Sequence, residues 1–221
     1  MVNKALHWGN LREYLREKFG LTEESFIHPF ITVAREPGSG GAPIAQLVAQ
    51  KLGFEFVDEQ IVDEIARSTK RRRAIIQEID EKSRSRIEDI VQSLVNLEYI
   101  DEETYIAELV KVILSYAHKG KCVILGRGSN FITPFAKGLH VSITAPYETR
   151  VQRAMHFEGL SESKAKEVIA KVEEERNEFT RQYFKKSSRH RNVFDITINT
   201  TALTVPQSSQ IIVEAFKQKF S

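Results

Sequence analysis

The chain has 221 residues, 41% of them hydrophobic and 28% charged, with a formal net charge of +2 and a single cysteine. Such a length buries a sizeable core in one α/β domain, and the near-neutral balance gives no reason for wholesale nucleic-acid binding. Cys122 alone can form neither an internal disulfide framework nor a multi-cysteine metal site. No apolar run reaches the length of a membrane span. The N-terminal segment carries Arg12, Glu13, Arg16, Glu17 and Lys18 where a signal peptide would be apolar, so the expected location is a reducing cytoplasm.

Residues 8–20 carry Leu11, Leu15 and Phe19 at four-residue intervals, which predicts an amphipathic helix appended to the domain within residues 1–29. The β-branched run from Ile31 then enters Gly38-Ser39-Gly40-Gly41, and Ile44, Leu47, Val48 and Leu52 follow at helical spacing. A strand, a glycine turn and a helix start in this order make a phosphate cradle. Backbone N–H groups converge without side chains in the way, and the helix dipole adds its positive end. The full P-loop pattern would also require a lysine and a hydroxyl after the last glycines, where this chain has Gly41 and Ala42.

A second short strand is expected at Gly53–Val57, closed by Asp58-Glu59 and followed by a helical face at Ile61, Ile65 and Ala66. This β-α-β-α progression favours a parallel sheet. The basic run Lys70 to Arg73 and the acidic residues after it read as a solvated helix face or loop, and nucleic acid is not an expected partner. Ile87 to Val95 and Ile106 to Ala117 predict two further helices, which together with the preceding one form a helical insertion over about 58–119. Lys121–Leu125 reads as a central strand with Cys122 buried, and it runs directly into Gly126-Arg127-Gly128. Arg127 should project over the crevice beyond the strand ends, where a guanidinium can hold a phosphate through two parallel hydrogen bonds.

Leu139–Ile143 predicts a fourth strand, and Pro146 opens a helix with Arg150 and Arg153 on one face. Ser161 is the expected N-cap of a long helix that is apolar up to Val172 and then gains Glu173, Arg176, Arg181 and Lys185. A helix that loses its buried face while gaining cations suits a lid over phosphates, in a region of about 157–192. A fifth strand is expected at Phe194–Ile198 and a last helix around Ile212 and Phe216.

The succession Ile31 to Gly41, Gly53 to Ile61, Val123 to Asn130, Ala145 to Arg153 and Asp195 to Thr200 resembles the cytidylate kinase-like family of P-loop proteins. The resemblance spans about residues 30–216 and implies a three-layer α/β P-loop fold with a five-stranded parallel sheet, a monophosphate-binding insertion and an arginine-bearing lid. It implies an ATP-dependent nucleoside monophosphate kinase acting on CMP or dCMP. Gly38, Ser39, Gly40 and Gly41 would wrap the donor phosphates. Arg127 and Asp58 would form the acceptor site, and Arg150, Arg153, Arg176 and Arg181 would be lid and lid-anchor arginines.

The chain departs from the family at Ala42, where an arginine usually follows the last glycine, and at Gly128, where cytidylate kinases carry an aspartate. Phosphoryl transfer needs the charge on the migrating group to be neutralised, so another cation must replace the lysine, and Arg35 is the nearest. Magnesium would be held mainly by the nucleotide's phosphates and water, with Ser39, Glu36 or Asp58 as protein contacts and no dedicated protein metal site. The alternative reading, which takes the missing groups at face value, is a nucleotide-binding sensor without turnover.

Overall fold

In the computed structural model, the chain is described at residues 8–20, 22–97, 104–134, 136–184 and 193–221. Strands β1 (Phe30–Arg35), β2 (Glu55–Val57), β3 (Cys122–Leu125), β4 (Gly138–Thr144) and β5 (Ile196–Asn199) form one sheet in the order β2-β3-β1-β4-β5. All four pairings are parallel, as strands joined by helical crossovers must be.

The strands are apolar on both faces because helices cover both. Phe30, Val57, Cys122 and Ile124 pack into one core with the helical insertion, made of α3 (Glu59–Arg67), α4 (Thr69–Gln77), α5 (Glu81–Asn96) and α6 (Thr104–Lys119). Ile31, Val33, Val123 and Leu125 point the other way, into a second core with α2 (Gly41–Leu52) and α10 (Val205–Phe220). The result is the expected three-layer α/β architecture. Leu15, on α1 (Trp8–Phe19), is fully buried against the insertion's core and Phe19 packs beside it. The side chain of Leu11 lies outside the described residues.

The basic run forms α4, which has no buried residue; Arg71 pairs with Glu64 and Arg72 with Glu108. Cys122 is buried, and that burial pushes its thiol pKa up, so it is inert rather than nucleophilic. No helix among the described residues is long and apolar enough to cross a membrane.

A helical hairpin follows β4. Val151 and Ala154 of α8 (Tyr147–Glu158) pack on Ala165 and Ile169 of α9 (Glu162–Tyr183), whose N-cap Ser161 accepts from Lys164 N as expected. Beyond Val172 the structure differs from the sequence reading, because the apolar stripe does not end there. Phe179 and Tyr183, one helical turn apart, and Phe184 after them continue it onto the core. Phe184 is fully buried beneath α7 (Ser129–Ile132), where a Cβ on Gly128 would lie 2.5 Å from its ring. The C-terminal end of α9 is thus docked by aromatic side chains while its cations face the crevice. Residues 185–192, the remainder of the expected lid, lie outside the described residues.

Candidate active site

The sheet order reverses between β1 and β3, so a crevice opens beyond their carboxyl ends. The loop after β1 enters it through a tight turn. Ser39 N and Ser39 Oγ both donate to Glu36 O, at 3.2 and 2.8 Å. Gly38 and Gly40 have φ of 77° and 81°, conformations open to glycine at no steric cost. Since α2 begins at Gly41, the N–H groups of Gly41 and Ala42 have no partner within the helix. Gly38, Gly40 and Gly41 line a cavity of about 530 Å³ together with Asp58, Glu59 and Arg176. Ser39 does not line it. The residue is fully buried, and its hydroxyl and amide shape the turn instead of facing the cavity.

Gly41 has a second use. A Cβ at that position would lie 2.9 Å from Arg35 Cγ and closer still to Arg35 Cβ, and a Cβ at Gly126 would strike Arg35 Nη1. The Arg35 side chain therefore passes between two glycines, one after β1 and one after β3. It ends on Glu59, with Nη2 2.6 Å from Oε1. A side chain at position 41 would start against the stem of this arginine.

Glu59 is the centre of a charge cluster. Arg176 Nη2 lies 3.7 Å from Glu59 Oε1 and Arg127 Nη1 3.8 Å from Glu59 Oε2. Arg176 Nη1 also donates to the carbonyl of Arg35 at 3.2 Å, fastening α9 to the end of β1. Burial, reinforced by the neighbouring Arg35 charge, lowers the Arg176 pKa to about 10, which leaves it charged at neutral pH but crowded by like charge. Arg35, Glu59 and Arg176 border both the glycine-loop cavity and a larger one of about 1050 Å³ lined by Arg127, Asn130, Phe131, Phe179 and Arg181.

Arg127 stands at the head of that larger cavity with φ of 50°, a left-handed conformation uncommon for a side-chain-bearing residue. Asp63 of α3 holds it by two hydrogen bonds, 2.7 Å from Nε and 2.6 Å from Nη2, and Phe179 lies under its guanidinium at 5.2 Å. Burial opposes the Arg127 charge, but the Asp63 carboxylate outweighs it and the pKa is raised. Tyr105 donates to Asp63 at 2.8 Å. Burial and that hydrogen bond push its phenol up to about 12.

The remaining expected site residues are placed as follows. Asp58 caps α3, accepting from Gln60 N and Ile61 N at 2.9 Å, and lines the glycine-loop cavity rather than the larger one. Arg181 is largely exposed at the rim, 3.0 Å from Glu174. Arg150 and Arg153 border neither cavity. Arg150 is buried and donates to Ala145 O, to Pro37 O and to Glu173. Arg153 donates to Ser39 O at 3.3 Å and to Thr200 Oγ1 and O at 2.8 and 2.6 Å, and Thr200 Oγ1 itself donates to Ser39 O. Both hold the glycine loop from behind, Arg150 through Pro37 O and Arg153 through Ser39 O.

Among the described residues no three His, Cys, Asp or Glu side chains come together to hold a metal ion. Glu36 is engaged with Ala145 N at 3.0 Å. The sequence reading did not single out Glu59, Asp63 or Asn130. Glu59 and Asp63 are four apart on a helix and so share a face, a signal that was present but silent until Arg35 and Arg127 arrived opposite them.

The cytidylate kinase-like family matches residues 30–202 of this chain. A cytidylate kinase from Ignicoccus hospitalis is 27% identical over 191 residues, spanning 85% of this chain and 96% of that protein. A uronate isomerase from Corynebacterium glutamicum is 32% identical over 99 residues, which are 44% of this chain and only 19% of that protein's length. The crystal structure of an uncharacterized protein from Eubacterium ventriosum shares the fold with a TM-score of 0.65 at 20% identity, covering 86% of this chain and 98% of that one. With the family pattern running from the first strand through the last, the chain belongs to the cytidylate kinase-like family.

Proposed function

We propose that the protein transfers the terminal phosphoryl group of ATP to a nucleoside monophosphate, CMP or dCMP, with the two cavities as donor and acceptor sites. The observation that carries this reading is the course of Arg35, which runs from the end of β1 between Gly41 and Gly126 to the wall shared by both cavities. A cation there meets the phosphoryl group in passage.

In this mechanism the N–H groups of Gly41 and Ala42 and the α2 dipole receive the donor phosphates. Arg127, oriented by Asp63, grips the acceptor phosphate as a planar fork. Arg35 and Arg176 neutralise the charge that spreads over the migrating group, and their mutual repulsion, only partly offset by Glu59, is relieved as that charge arrives. Arg181 at the rim adds positive potential. Asp58, which lines the glycine-loop cavity, would offer an oxygen to a magnesium ion carried mainly by phosphates and water, in keeping with the ion's habit of taking one or two carboxylates. Magnesium supplies further charge neutralisation when bound.

A coupled assay with ATP and CMP, dCMP or UMP should release ADP with CMP and dCMP preferred. No ADP above background at high enzyme concentration would overturn the reading. The sensor alternative is favoured by one observation, that Arg35 and Arg127 are already paired with Glu59 and Asp63. It expects calorimetric nucleotide binding with no isotope transfer.

A further inference from the structure

Asn130 sits on α7, three residues beyond Arg127, and lines the larger cavity. It is only 3% exposed, yet its side-chain Nδ2 has no hydrogen-bond partner. Buried amide donors are almost always paired, so an unpaired one on a residue that lines a cavity calls for an acceptor, which a small side-chain rotation would let a bound molecule supply. The surroundings say what kind. Phe131, Phe179 and Phe194 line the same cavity, giving it aromatic walls, while Arg127 and Arg176 line its charged side. A molecule that presents phosphate to the arginines and a flat ring to the phenylalanines would bring a ring edge toward the carboxamide. Gly128 contributes no side chain here, and the space beside it is filled by Phe184.

We propose that Asn130 is the base-reading residue of the acceptor site, donating a side-chain N–H to a ring nitrogen or carbonyl oxygen on the base of the nucleoside monophosphate. The proposal rests on the reading of the larger cavity as the acceptor site. A site built to hydrogen-bond a substrate rejects one that lacks the matching group, because the protein's own polar atom is then left unpaired.

The test is calorimetric titration of the full chain with CMP, with ribose 5-phosphate, which has the phosphate and sugar but no base, and with ATP. Asn130→Leu removes the amide, and Asn130→Asp keeps the size while replacing the donor with an acceptor. Asn130→Leu is expected to weaken CMP about tenfold while leaving ribose 5-phosphate and ATP unchanged. Asn130→Asp, whose carboxylate also repels a phosphate held by Arg127, is expected to weaken CMP about tenfold more than ribose 5-phosphate, and an equal loss for the two would overturn the proposal; if Asn130→Leu does not fold, that comparison decides. Unchanged CMP affinity in a folded variant overturns the proposal. If the melting temperature falls as well, the amide serves a buried water. Wild-type protein that binds CMP in an Asn130-dependent way but forms no ADP would sink the kinase reading and leave Asn130 as base reader. Wild-type protein that phosphorylates CMP, with an unchanged CMP KM in the variants, would do the reverse. Failure of wild type to bind CMP overturns both.

Discussion

Arg35 Nη2 and Glu59 Oε1 lie 2.6 Å apart, joining the end of the central strand to the first turn of α3 at the boundary between two cavities. The arginine side chain is 8% exposed and the glutamate 28%, so water screens the pair weakly and the carboxylate sets the direction of the guanidinium. Removing only the charge by Glu59→Gln should lower kcat about tenfold or more, because Arg35 and Arg176 lose the anion that orders them. KM for either nucleotide should change less. Steady-state kinetics with each substrate varied in turn checks this, and an unchanged kcat would remove Glu59 from the arrangement.

Restoring the lysine of a complete P-loop should not help. In Gly41→Lys the new Cβ would sit 2.9 Å from Arg35 Cγ, with the Arg35 Cβ nearer still, so the arginine stem must leave its channel. Overpacking of this kind costs about 1–3 kcal/mol. Turnover should fall and the melting temperature with it. A variant that gains activity over wild type would show that Arg35 does not take the lysine's place.

Arg153 separates a scaffolding role from a catalytic one. Its three hydrogen bonds, to Ser39 O, Thr200 Oγ1 and Thr200 O, clamp the glycine loop to the start of the segment after β5. Arg153→Ala should cost about 1–3 kcal/mol of stability and raise KM for ATP, with kcat at saturating ATP nearly preserved. A large loss of kcat at unchanged KM would instead return Arg153 to the transition state. Thermal melts and ATP-varied kinetics on one preparation distinguish the two.

Tyr105 gives a pH signature. Its phenol is pushed up to about 12 from 10.0, chiefly by burial and then by its hydrogen bond to Asp63. The unfolded chain therefore gives up this proton first, so the stabilisation is complete below pH 10 and is lost as pH rises through about 12. Melting temperatures from pH 8 to 12 should fall less steeply in Tyr105→Phe than in wild type. Parallel curves would mean that the phenol is not held as described.

Much of this fold can be read without coordinates. The apolar runs of β1, β3 and β4, the three- and four-residue spacing of apolar residues in α5 and α6, Ser161 as a cap and the glycine turn after β1 are local features. A helix or strand face needs only its own side chains to declare its period. The basic run from Lys70, whose charge alone left a solvated helix face or a loop open, is a helix without a buried residue. The end of α9 was misread because its buried residues, Phe179, Tyr183 and Phe184, lie among Glu, Arg and Gln, and the core they enter is built from α6 and α7, distant in sequence.

What the sequence by itself determined was the parallel α/β frame, the glycine turn between the first strand and its helix, and the set of arginines available to the crevice. The tertiary structure decided which arginines face the cavities. Arg35, Arg127 and Arg176 do, because Glu59 and Asp63 on one face of α3 draw them there; Arg150 and Arg153 do not, because the backs of the glycine loop and of β5 take their hydrogen bonds. A guanidinium on a long, flexible stem is directed by its partner, and that partner comes from a different segment of the chain. Gly41 illustrates the division. Alone it marks a missing lysine, and only the packing of Arg35 against it reveals that the missing side chain leaves room for another cation.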